Sequence, residues 1–129
     1  MAKPKIELFD KSNCVYEYIC PCEKVYIGQT HRTLFTRADE HFKNSSSNIC
    51  THKSECEFYK NESKKYLKEN KALYPEPITA QFEYFKSRFK IIGKGYRNDY
   101  DRKRAEAFLI RTKMPKINKQ TDQYAFRLF

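Results

Sequence analysis

The chain has 129 residues, with 26 lysines and arginines against 16 acidic residues, a formal net charge of +10. That length holds one domain, or a small core with one insertion, and excludes two full-sized domains. Apolar residues make up 40% and aromatics 16%, too much ring surface for outright disorder, while no apolar run approaches the ~18 residues that a membrane span needs.

A charge of this size on so small a domain points to a polyanionic partner, nucleic acid ahead of an anionic membrane, with simple solubility as the bland alternative. No apolar stretch follows Met1, Ala2, Lys3, Pro4 and Lys5, so no export signal is expected and the protein reads as intracellular, in cytoplasm or nucleus.

Residues 1–12 are polar and expected to be an extended lead-in. From Cys14, the run Val15, Tyr16, Glu17, Tyr18 and Ile19 is rich in β-branched and aromatic residues, which suits a strand. Its twofold period puts Tyr16 and Tyr18 on one face and Val15, Glu17 and Ile19 on the other. A short link over 20–24 leads to a second strand at Val25, Tyr26 and Ile27, ended by Gly28, and the pair reads as an antiparallel hairpin. A helix is expected to start near Thr33, because Leu34, Ala38, His41 and Phe42 recur at helical spacing; on it Arg37 and His41, four apart, share a face.

The cluster Asn44, Ser45, Ser46, Ser47 and Asn48 reads as a loop, since these side chains compete for backbone hydrogen bonds. Beyond it come a second cysteine pair, a lysine-rich helix over about 57–70, and Pro75 and Pro77. Together 44–88 reads as an insertion with its own local anchor. A third strand is expected over 89–92, closed by Gly93 and Gly95. The last helix is expected over about 100–112, stopped by Pro115. The fold class is therefore α/β (α+β): one domain over 1–129, with a small three-stranded, mainly antiparallel sheet flanked by helices. Its core is 14–43 and 89–120, with a Cys/His-containing insertion over 44–88.

The five cysteines are Cys14, Cys20, Cys22, Cys50 and Cys56. An odd number without an export signal argues against a disulfide framework. Two close pairs, Cys20 with Cys22 and Cys50 with Cys56, offer two short clips of the kind that hold one structural Zn²⁺ in a tetrahedron. Cys20, Cys22, Cys50 and Cys56 are the preferred ligands and His52 the substitute; ordinary reduced thiols acting as small hydrophobes are the alternative.

Tyr16, followed ten residues later by Tyr26 and then by Gly28, resembles the paired signature of the GIY-YIG nucleases. The order continues with Gln29 and Thr30, with Arg37 and His41 on the next helix, with Glu106 on a later helix and with Asn118 after a proline. Cys14 stands where the family has its first glycine, and Val15 where it has isoleucine. Within the family the pattern is similar to the endonuclease domain of Penelope-type retroelements, which carries cysteines in the same interval, and to stand-alone homing or viral nucleases.

The resemblance implies a phosphodiester hydrolase acting on DNA, with Glu106 and the substrate phosphate holding one Mg²⁺ (or Mn²⁺). It implies Tyr16 as general base or water-orienting group, Tyr26 as a positioning hydroxyl and Arg37 as the phosphoryl clamp. His41 stays open between phosphate contact, base in place of Tyr16, and zinc ligation. Asn118 is expected to brace the site by hydrogen bonds rather than to react. Lys94, Arg97, Arg102, Lys103 and Arg104 form a basic run near Glu106 suited to phosphate backbone contacts, with Lys60, Lys64, Lys65, Lys68 and Lys71 extending it. A solvated helix face is the plain alternative for these lysines. A monomer would make one cut, so a double-strand break would need a DNA-induced dimer or successive nicks. Service to a mobile element is the expected setting. A structure-specific repair or recombination nuclease and a zinc-stabilised module that binds DNA without cutting are the rivals.

Overall fold

A computed structural model describes residues 8–118. Residues 1–7 of the expected lead-in, and residues 119–120 at the end of the expected core, lie outside the described residues. The order of elements is β1 (Cys14–Ile19), β2 (Val25–Thr30), α1 (Leu34–Lys43), α2 (Asn48–Glu55), α3 (Glu57–Glu69), α4 (Pro77–Lys86), β3 (Phe89–Lys94) and α5 (Asp99–Lys113), preceded by one 3₁₀ turn at Leu8–Asp10. This is the expected α+β fold, and both strand pairings are antiparallel.

β1 is the central strand, between β2 and β3. Tyr16 lies opposite Gly28 on one side and Ile91 on the other; Tyr18 lies opposite Tyr26 and Phe89. Strand alternation then divides the core in two. Cys14, Tyr16, Tyr18 and Phe89 pack with Leu34, Ala38, Ile49, Tyr59, Tyr84 and Phe85, on the face covered by α1 to α4. Val15 and Ile27 pack with Ile110 of α5 on the opposite face. There Glu17 is buried, and its carboxylate receives Lys90 Nζ at 3.2 Å and Lys113 Nζ at 3.4 Å, so the charge is compensated.

The helices begin where local chemistry allows. Thr33 caps α1 by accepting from the Thr36 N–H, and Asn98 caps α5 by accepting from the Asp101 N–H. Pro77 opens α4 at its first turn, where a missing N–H is harmless. Of the two prolines, Pro77 is therefore a helix start, and α2 arises in a stretch for which no helix was expected, taking in Asn48 from the end of the expected loop. The segment 44–88 is not an appendage, because Ile49, Tyr59, Tyr84 and Phe85 belong to the same core cluster as Tyr16 and Tyr18. Part of the lead-in is also structured: Phe9 meets the Phe89 ring edge-on at 6.2 Å, and Lys11 C=O accepts from Leu34 N–H at 2.8 Å.

β2 is an edge strand, and its outer side is closed by the chain after α5. Ile117 N–H donates to Val25 C=O at 2.9 Å. The Asn118 amide both accepts from Ile27 N–H and donates to Ile27 C=O, each at 2.9 Å. One side chain replaces a strand neighbour, which fixes the stretch carrying Tyr26 and Gly28. Each of the two backbone groups would cost about 1–3 kcal/mol if left buried and unpaired.

Candidate active site and metal centre

Tyr16 is fully buried in the middle of β1, and its hydroxyl lies 2.7 Å from His41 Nε2 of α1. The phenol lies across Gly28. A Cβ there would come within 2.6 Å of Tyr16 Cζ and closer still to its hydroxyl, so the cross-strand partner has to be glycine. His41, 2% exposed, holds its other nitrogen, Nδ1, 2.6 Å from Ser47 Oγ at the start of α2. The Tyr26 ring lies 5.2 Å from His41 and 6.4 Å from Tyr16, centroid to centroid. Beside them is a polar cavity of about 190 Å³ lined by Tyr26, Arg37, Glu40, His41 and the α1–α2 loop from Asn44 to Asn48.

Arg37 reaches the Tyr16 hydroxyl, and Glu106 of α5, half-buried, is close enough for its charge to act on the phenol. Tyr16, Tyr26, Arg37, His41 and Glu106, spread over ninety positions of sequence, thus share one neighbourhood. Asn118 stays outside it as a brace. In this state Glu40 occupies the guanidinium, with Oε1 3.2 Å from Arg37 Nη1 and 2.6 Å from Arg32 Nη2. A phosphate oxygen would compete for the same donors.

Burial, reinforced by Tyr26 and Glu106 and opposed by Arg37, raises the Tyr16 pKa well above that of a free tyrosine. The phenol is therefore protonated at neutral pH. Burial, with the Arg37 charge, pushes His41 down to about 3, so the imidazole is neutral. Arg37 is penalised by burial, but Tyr16 and Glu40 more than offset this and hold its pKa above the ordinary value. The arrangement is a neutral Tyr–His pair beside a permanent cation and a carboxylate. It can accept a proton and bind an anion.

A second cluster lies at the end of the hairpin. Cys20 and Cys22, from the β1–β2 link, meet His52 of α2 and Cys56 at the α2–α3 junction, with all four ligand atoms within 4.8 Å of one another. Cys20 Sγ is 3.7 Å from Cys56 Sγ, and Cys22 Sγ is 3.3 Å from His52 Nε2. These residues could hold a metal ion. Cys50, in the preferred set, is replaced by His52: two positions on a helix are ~200° apart, so one of the pair must face away. Cys50 Sγ instead lies 3.8 Å from Phe42 C=O. Cys56 sits at the N-cap of α3; although burial opposes it, the amides of Tyr59 and Phe58 draw the thiol below its usual pKa. Burial and Lys24 lower the pKa of His52. His41 is not in this cluster, so its zinc-ligand option falls away. Cys14 is a buried core residue.

Lys94, Arg97, Lys103 and Arg104 are exposed, with Arg97 paired to Asp101 at 2.9 Å and Arg104 lying 5.5 Å from the Tyr100 ring centroid. Arg102 is not part of an exposed basic run. It is 3% exposed, donating to Gln29 Oε1 at 2.6 Å, Asn13 Oδ1 at 3.0 Å and Asp99 Oδ1 at 2.7 Å, and so ties α5 to the sheet. Sequence reasoning passed over Ser47 and Glu40. Ser47 stands three residues before Cys50, as an N-cap does before its partner amide, and that spacing was the available signal.

Folding takes His41 from its ordinary 6.5 to about 3. Above both values the group is neutral in either state. Between them only the unfolded chain takes up the proton, so stability falls as pH falls through that window. Unfolding free energies from urea titrations between about pH 7 and pH 4 should drop more steeply for the wild type than for His41→Gln, by up to about 1.4 kcal/mol per pH unit. Equal slopes would contradict a neutral buried His41. Comparison of the chain with protein-family models, with curated proteins and with solved structures finds no match in any of the three.

Proposed function

We propose that the protein is a divalent-metal-dependent DNA endonuclease of the GIY-YIG type, serving a mobile genetic element. The observation that carries this is that Tyr26, Arg37 and His41 line one polar cavity, with Tyr16 bonded to His41 and Glu106 near enough for its charge to act on the phenol. Arg37 takes a phosphoryl oxygen and releases Glu40. Tyr16 orients the attacking water and receives its proton as its own proton moves to His41 Nε2. Because the Arg37 charge helps to depress His41, a phosphate bound to Arg37 cancels that charge and raises the basicity of the imidazole when it is needed. Glu106, a single half-buried carboxylate beside Tyr16, fits Mg²⁺ or Mn²⁺, which keeps most of its waters. When bound, that ion would stabilise charge on the phosphoryl and leaving oxygens. Lys94, Lys103 and Arg104 would contact the DNA backbone.

Glu106→Ala and Arg37→Ala should each reduce Mg²⁺-dependent nicking of a supercoiled plasmid by at least about a hundredfold, with thermal stability near that of the wild type. Undiminished nicking in both variants would sink the assignment.

A second reading, a zinc-stabilised DNA-binding module that does not cut, is favoured by the Cys20, Cys22, His52 and Cys56 cluster. Three thiols and one imidazole suit Zn²⁺. A tetrahedron with Zn–S of about 2.3 Å has S···S edges of about 3.8 Å, close to the 3.7 Å between Cys20 and Cys56. Such a site contributes folding energy under either reading. Protein purified without chelator should carry about one zinc per chain, retained in Cys50→Ser and lost or strongly weakened in Cys56→Ser. Folded, reduced wild type without zinc would defeat the metal assignment. DNA binding without cleavage of duplex, branched or single-stranded substrates would favour the second reading.

A further inference from the structure

The Tyr16–His41 pair has a third member. Arg37 carries only donors, so at the Tyr16 oxygen it can only donate. The phenol's own proton then has one acceptor at hand, His41 Nε2 at 2.7 Å. A neutral imidazole that accepts at Nε2 carries its proton on Nδ1. That nitrogen lies 2.6 Å from Ser47 Oγ. The same oxygen is the N-cap of α2, accepting from Cys50 N–H at 3.5 Å, so its lone pairs face the groups that donate to it. His41 is buried, which leaves water little chance of taking over this task.

We propose that Ser47 is a positioning residue for the Tyr16–His41 pair: its hydroxyl accepts the Nδ1 proton of His41, fixes the ring, and leaves Nε2 free to take the proton of Tyr16. The inference rests on the reading of Tyr16 as the group that receives the proton of water. A helix cap, ordinarily a device of stability, here also selects a tautomer.

The test is ¹H–¹⁵N NMR of the histidine rings in the full chain, which has three histidines, together with plasmid nicking. Ser47→Gly removes the hydroxyl yet remains an acceptable N-cap, at a cost of a few tenths of a kcal/mol, so its fold should survive. Ser47→Thr restores the oxygen. In wild type and Ser47→Thr the His41 proton should reside on Nδ1. In Ser47→Gly it should redistribute toward Nε2, and nicking should fall roughly tenfold or more and recover in Ser47→Thr. A folded Ser47→Gly whose His41 proton remains wholly on Nδ1, as in the wild type, would overturn the proposal. If the proton moves as described while the wild type itself cuts no DNA, the positioning role stands and the nuclease reading fails.

Discussion

The buried hydrogen bond between Tyr16 and His41 is the constraint around which the structure is organised. It joins the central strand to the first helix across the larger core, and it leaves no solvent to satisfy either group. Its consequences run outward. Gly28 must be glycine to let the phenol lie across β2. Asn118 holds β2 from its open edge, where no fourth strand pairs with it among the described residues. Burial also sets the protonation states, keeping the phenol protonated and the imidazole neutral. The pair that positions the fold is thus the pair with proton chemistry to offer.

α2 makes this neighbourhood and the metal-type cluster neighbours in structure. Its N-cap, Ser47, touches His41, while His52 and the residue at its other end, Cys56, belong to the cluster. Eight residues span the two sites, and Ile49 between them anchors the helix in the main core. The cluster also includes Cys20 and Cys22 at the hairpin turn, so it ties the end of β1 to the α2–α3 junction. A stretch that reads as an insertion therefore completes the core and one wall of the polar cavity.

Much of this was legible in the sequence because the signals were local. The hairpin announced itself through β-branched and aromatic alternation, α1 through Thr33 and a helical stripe, and α5 through the proline that stops it. The residues of the candidate site were named by their order along the chain, and the structure brings five of them together. What was not legible depended on tertiary context. α2 is eight residues with one buried side chain, Ile49, too short to impose a pattern. Missing that helix hid the opposition of Cys50 and His52, and with it the set of four residues that could hold a metal ion. Arg102 reads as one more cation in a basic run; only the packing of α5 against Gln29 and Asn13 shows that its charge is spent inside the protein. Ser47 looked like loop chemistry because its partner, His41, lies on a neighbouring helix.

The proposed chemistry depends on the single side-chain oxygen of Tyr16. Replacing Tyr16 with phenylalanine keeps the ring in the core and removes the hydrogen bond to His41 together with the proposed contact to water. Mg²⁺-dependent nicking of supercoiled plasmid by Tyr16→Phe should fall by at least about a hundredfold, in a protein that still folds and still binds DNA. Nicking within about twofold of the wild-type rate, well short of the loss expected for a proton-transfer group, would contradict the account.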